Sequence, residues 1–365
     1  MQFRTCSPDC SFDDYRPLSQ LRNEIRLLIV EPGIGLDPII GRFQHATLDH
    51  ELLKSYETIS YVWGTTSEKS GWIVLNSIFV IPICARNAIR RMRLPDQERV
   101  LWIDAVCINQ LDIQERNRQV TLTELVYSMA SANLIYFGED EGEAAKRAVD
   151  TLHKTAQWLR DSVDKLSDAR ARTFFETFGL FPEAMHSQAM SADTLRSLFP
   201  LYELAWFRSV QNFKPGRLLL TLRGRLWVWQ EAALASQNIC FWGDVNFAFE
   251  DVLTCAILHV NALPTEVYKQ YYSLGYYYPY ALKSIVRNRT EFVFKKKLLP
   301  FDQVCSLNSF LQVTEPRDQS LLGLVYTVDI TRSTPYQSFY GRTMRNLLLM
   351  SSETQQGISW KKPWT

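Results

Sequence analysis

The sequence predicts an α/β protein, a doubly wound sheet whose strands alternate with helices, continued by a mostly helical C-terminal region. Three observations predict it. Glu57 to Gly64 alternates apolar and polar residues with Ile59, Tyr61 and Trp63 on one side, the pattern of a half-buried strand stopped by a glycine. Val100 to Ile108 and Leu134 to Phe137 are near-continuous apolar runs, which suit strands covered on both faces. Helical periodicities fall between these runs, and the order strand, helix, strand, helix, strand is that of a sheet wound on both sides.

The elements follow in order. Trp72 to Leu75 and Ile78 to Ile81 flank Asn76-Ser77 and predict a hairpin that ends at Pro82. A short basic helix is expected from about Ala85 to Arg93. Asp112 and Glu115 have the spacing of a capping box, so a helix should begin there and run to about Ala132, with Leu122, Leu125, Val126, Met129 and Ala132 at helical intervals. After the strand closed by Gly138, Val149, Leu152, Ala156, Leu159, Val163 and Leu166 form the stripe of an amphipathic helix. Phe174 to Trp206 is aromatic and reads as helical. Trp227 to Ser236 predicts a further helix, and Ile239 to Trp242 a short strand before a Gly243-Asp244 turn. Tyr268 to Tyr280 is tyrosine-dense, which suits helical packing with hydroxyls at the surface.

Composition narrows the function classes. Forty basic and 39 acidic residues leave a formal charge of +1, so no global field favours nucleic acid or an anionic membrane, and neither is expected as a partner. No apolar run reaches the length of about 18 residues that a membrane span needs, and Met1 to Cys10 has no apolar core of a signal peptide. Seven cysteines, an odd number, read as reduced thiols in the cytoplasm. Cys6 and Cys10 have no second Cys or His pair at zinc spacing, so no metal is expected. The sequence has no Gly-rich phosphate loop, no H-E-x-x-H and no G-x-S-x-G.

Polar residues collect around the second apolar run. Asp104, Asn109 and Gln110 sit at its end, where open α/β folds place their ligands, and Arg116 and Gln119 lie three apart on one face of the next helix. Two readings stand. The residues form a hydrogen-bonded structural network joining Asp104, Asn109, Arg116 and Gln119, or they line a ligand site. Glu115 reads as a capping-box residue before an acid catalyst. Trp63 and Gly64, ending the first strand, either pack before a turn or let a ring or phosphate approach the backbone.

Ser60-Tyr61-Val62-Trp63-Gly64, then Leu101 to Gln110, then Glu115-Arg116-Asn117-Arg118-Gln119-Val120 and Tyr127, closely resemble the successive signature blocks of the fungal heterokaryon incompatibility (HET) domain. Trp206-Phe207-Arg208, Arg225 to Glu231 with Trp227 and Gln230, and Asp318 to Leu324 resemble its later blocks, so the likeness spans roughly residues 45–325. It implies an N-terminal arm and first strand region over 1–45, and a HET domain over 46–250 with core blocks 56–140 and 206–243 and a helical insertion 141–205. A helical C-terminal region over 251–365, cut short relative to the family, would follow. Val210 to Gly224 separates two blocks that normally adjoin, as an inserted surface loop or a retained intron would.

The resemblance implies a cytoplasmic protein of fungal non-self recognition and programmed cell death, acting through protein partners and self-association, with no cofactor. The HET domain is in turn remotely similar to Toll/interleukin receptor (TIR) domains. Ile59-Ser60-Tyr61 looks like the first strand of such a domain and Leu101 to Asp104 like the second. Trp227 to Glu231 has the spacing of the TIR tryptophan and glutamate, with Val228 where TIR enzymes carry cysteine. That likeness implies an alternative, cleavage of NAD as a substrate with Glu231 as the single catalytic carboxylate. The other reading of these residues is that Trp227 packs and Glu231 caps or faces solvent. A pocket holding Glu231 with Ser60 or Trp63 would favour the enzyme.

Overall fold

The computed structural model describes residues 15–19, 22–63, 70–140, 142–164, 197–202, 204–208 and 227–262. Three strands come first among the described residues: β1 (Glu24–Val30), β2 (Gly41–Thr47) and β3 (Glu57–Tyr61). The hairpin β4 (Ser70–Val74) and β5 (Ile78–Pro82) leads through α1 (Ile83–Met92) to β6 (Arg99–Trp102). Three helices, α2 (Asp104–Cys107), α3 (Ile113–Thr121) and α4 (Thr123–Met129), precede β7 (Asn133–Gly138). Then come α5 (Ala144–Asp164), α6 (Phe199–Tyr202), α7 (Ala205–Arg208) and α8 (Trp227–Leu234). Strands β8 (Asn238–Trp242) and β9 (Val245–Ala248) and helix α9 (Phe249–Ala262) complete the described part.

The seven-stranded sheet has the order β2-β1-β6-β3-β7-β8-β9. Its centre is parallel, with β3 pairing β6 and β7, and β7 pairing β8. Both flanks are antiparallel, β2 and β1 on one side and β9 on the other. The fold is therefore mixed α/β. Parallel strands are the ones that must be covered on both faces, and β3 and β7 are accordingly buried over almost their whole length. Alternation splits β3 between two layers. Ser60 accepts a hydrogen bond from Trp206 Nε1 of α7 at 3.3 Å, and Tyr61 stacks on Trp63 with centroids 6.4 Å apart. Trp206 in turn packs edge-on to Phe137, Phe207 and Phe249.

Several expectations are corrected. The run from Val100 to Ile108 is not one strand: β6 stops at Trp102, Ile103 remains extended (φ −140°, ψ 125°), and α2 begins at Asp104. The helix expected from Asp112 to Ala132 is two, broken at Leu122, whose N–H is shared between the carbonyls of Gln119 and Val120 in a tightened turn. The hairpin turn has three residues, since Val74 pairs with Ile78 and Leu75 N–H bonds the Ser77 carbonyl at 2.9 Å. The first strand ends at Tyr61, before Trp63. Gly138 (φ 109°) and Gly243 (φ 52°) end the adjacent strands β7 and β8 in conformations that side chains disfavour, joined by a 2.9 Å bond from Gly243 N–H to the Gly138 carbonyl. Cys84, Cys107, Cys240 and Cys255 are free thiols, and burial raises that of Cys107 to about 12. Among the described residues no helix is long and apolar enough to cross a membrane. The tyrosine-dense run, Val210 to Gly224 and Asp318 to Leu324 lie outside the described residues.

Candidate functional site

The end of β6 places the first carboxylate. Because the strand gives way to α2 immediately after Ile103, Asp104 emerges at the carboxyl end of the parallel sheet, where α/β folds bind their ligands. Trp63, just past the end of β3, donates its indole N–H to both Asp104 oxygens, at 3.2 and 3.1 Å. Gln110 folds back and donates from Nε2 to the Asp104 backbone carbonyl at 2.7 Å, which fixes the loop after α2.

The next helix turns on a different group. Asp112 caps α3 by accepting from the backbone N–H groups of Gln114 and Glu115. The reciprocal half of the expected capping box is not formed, since Asp112 N–H bonds the Asn109 carbonyl. The Glu115 carboxylate instead grips Arg26 of β1 through both guanidinium ends, at 2.7 and 2.8 Å, and accepts the Asn109 N–H at 2.7 Å. Arg26 is fully buried, lies 4.7 Å from the Tyr15 ring centroid and donates also to the carbonyls of Cys107 and Arg16. Glu115 is thus the counter-charge of a buried arginine.

Gln119 does not join Asp104 either. Its Nε2 donates to the Glu24 carbonyl at 2.9 Å, and the Asn109 side chain accepts from Leu111 N–H. The expected network of Asp104, Asn109, Arg116 and Gln119 therefore divides, with Asn109 and Gln119 tied to backbone and Asp104 and Arg116 turned elsewhere.

That other place is a half-open cavity of about 120 Å³, lined by Trp102, Asp104, Ile108, Gln110, Arg116, Val120, Thr123, Tyr127 and Glu231. Glu231 of α8 is 8% exposed. The Tyr127 hydroxyl donates to it, and burial first, then the Glu231 charge, holds the Tyr127 pKa well above the usual phenol value. Tyr127 also packs edge-on to Trp102 at 5.8 Å. The cavity thus joins two carboxylates, each held by an aromatic donor, to one exposed arginine. Such a set can accept hydrogen bonds from a ligand or stabilise developing positive charge.

Of the sequence-nominated residues, Asp104, Gln110, Arg116 and Glu231 line this cavity. Trp63 reaches it through Asp104, whereas Ser60 binds Trp206 and Tyr61 stacks on Trp63. Trp227 and Gln230 fall in α8, and Gly64 and Arg225 lie outside the described residues. Sequence reasoning missed Trp102 as a lining residue and Arg26 as a buried cation. An arginine inside the run Ile25 to Val30 was the available signal, since a charge buried in a strand demands a partner. It also missed Thr58, Asn133 and Asn238, whose side chains link β3, β7 and β8 at 3.1 and 2.9 Å. Among the described residues no group of three or more metal-ligating side chains occurs.

Comparison with known proteins agrees with the blocks read above. Residues 56–231 match the family model described as Heterokaryon incompatibility protein (HET). The chain is similar to Heterokaryon incompatibility protein 6, OR allele, of Neurospora crassa, 26% identical over 223 residues. That match covers 56% of this chain and 32% of the relative, so the aligned part spans about a third of the relative's length. No solved structure matches. The cavity is therefore assembled within the segment that matches the HET family model, from Trp102 at the end of β6 to Glu231 at its last residue.

Proposed function

We propose that this chain acts in fungal heterokaryon incompatibility, as a cytoplasmic signalling and interaction module of non-self recognition whose HET domain leads to programmed cell death. The observation that carries the reading is the family match over residues 56–231, supported by the name of the Neurospora crassa relative. Protein partners in that signalling, including a second copy of the chain, are part of the proposal. The test is regulated expression of the full chain in a fungal host. Loss of viability that depends on residues 56–231 supports the reading, and growth unchanged at high expression contradicts it.

The cavity favours a second reading. Glu231 is buried rather than facing open solvent, and it lines a cavity at the carboxyl end of the sheet with Asp104, Arg116 and Tyr127. Trp63 is joined to that cavity through Asp104, and Ser60 is not among its lining residues. In this reading the domain hydrolyses the bond between nicotinamide and ribose in NAD. As the bond breaks, positive charge develops on the sugar, and the Glu231 carboxylate stabilises it while water adds to the anomeric carbon. Tyr127 fixes the carboxylate in place. Following cellular NAD beside viability separates the readings: death with NAD unchanged leaves the module, and NAD loss abolished by Glu231→Gln supports the enzyme.

A further inference from the structure

The cavity walls carry donors and acceptors in a pattern that selects a ligand. Trp102 is 2% exposed, yet its indole N–H has no acceptor among the described residues. A buried donor without a partner is destabilising by itself and binds well any acceptor brought to it. Arg116 lines the same cavity from an exposed position, and its guanidinium makes no hydrogen bond or ion pair among the described residues. Its planar fork of N–H groups matches a carboxylate or phosphate.

Acceptors face these donors. A carboxylate can accept about four hydrogen bonds, so Asp104 and Glu231, which line the cavity, can accept from a ligand hydroxyl beside the partners they already have. An anion lodged between them would be repelled. A neutral polyhydroxylated body would not, because every hydroxyl both donates and accepts. At about 120 Å³ the cavity is well below the roughly 300–1,000 Å³ of sites for drug-sized molecules and admits one small ring, with Trp102 and Tyr127 as apolar walls.

We propose that the cavity binds a single sugar-sized polyol carrying one anionic oxyacid group, the hydroxylated body between Asp104 and Glu231 against the Trp102 ring, and the anion on Arg116. The inference rests on the second reading above, whose substrate class it narrows, but it is read out by binding alone.

Isothermal titration of the full chain tests it with four probes: ribose 5-phosphate, gluconate, ribose and inorganic phosphate. One of the two anionic polyols should bind at least about tenfold more tightly than ribose or inorganic phosphate, the scale of one charge-assisted contact, and which one binds tells phosphate from carboxylate. Arg116→Gln, an exposed substitution, should cut that affinity about tenfold without changing the unfolding temperature. Inorganic phosphate binding as tightly as ribose 5-phosphate, an Arg116→Gln affinity equal to the parent's, or no binding of either anionic polyol would each overturn the proposal. Its fate is separable from that of the chemistry. If ribose 5-phosphate or gluconate binds through Arg116 while NAD stays constant in cells, this site stands and the NAD reading falls. If NAD falls through Glu231 while no anionic polyol binds, the opposite holds.

Discussion

Two carboxylates border the same stretch of chain, and their surroundings assign them opposite roles. Glu115 and Glu231 are both nearly hidden from water. Glu115 is committed to the fold: it accepts from two guanidinium N–H groups and the Asn109 N–H, and the charge it balances is a fully buried arginine. Glu231 lines a cavity beside Asp104 and across from an exposed arginine, held by the Tyr127 hydroxyl. Burial alone therefore does not mark a functional carboxylate. What distinguishes the two is whether the rest of the fold closes over the group or leaves room beside it.

The sharpest way to break the comparison is at Arg26. Arg26→Met leaves Glu115 charged and uncompensated, and should cost about 3–5 kcal/mol in denaturant unfolding. Adding Glu115→Leu should recover much of the loss, because a buried ion pair is a weak net stabiliser against apolar replacements. Glu115→Gln, which a purely capping residue would tolerate, should lose about 2 kcal/mol in the same measurement, since it removes the charge that holds Arg26. On the other side, Tyr127→Phe should lose only about 0.5–1.5 kcal/mol, the net worth of one hydrogen bond. It should nevertheless impair any activity that needs Glu231 held in place. Asp112→Ala, which removes the cap of α3 and touches neither carboxylate, should cost about 1 kcal/mol by thermal unfolding.

The smallest effect concerns pH. His45 of β2 pairs with Glu24 at 3.3 Å, and its pKa is lowered from 6.5 by burial first and then by the nearby Arg26 and Arg16 charges. The unfolded chain then binds the proton more readily than the folded one, so this contribution is full above pH 6.5 and declines as pH falls below it. Unfolding curves of His45→Gln between pH 7 and 5 should show a smaller decline than the parent's.

The legible parts of the fold were those whose local pattern and tertiary role coincide. Strands β3, β7 and β8 read clearly because central parallel strands are apolar runs closed by turn residues, and α8 because nothing interrupts it. Strand β1 escaped an explicit reading because Arg26 breaks its apolar run, and the residue that repairs the break, Glu115, is 89 positions away. The early end of β6 was hidden for the opposite reason: Ala105, Val106 and Cys107 are as apolar as the strand before them, although they form a helix. At the site, Asp104, Gln110, Arg116 and Glu231 were nominated from their places beside strand ends and motif blocks. Trp102 read as core, because a buried indole lacking an acceptor looks in sequence like any packed tryptophan. Gln119 was misassigned because helical spacing gives the face it shares with Arg116 but not the carbonyl of Glu24 to which it reaches.

The most direct test sets the two glutamates side by side. Glu115→Gln and Glu231→Gln are made in the full chain and measured for thermal unfolding in vitro and for killing in a fungal host. The account predicts that Glu115→Gln lowers the unfolding temperature markedly, whereas Glu231→Gln stays within about 1 kcal/mol of the parent and loses the ability to kill. Killing by Glu231→Gln at the parent's efficiency, or a destabilisation as large as that of Glu115→Gln, would contradict it.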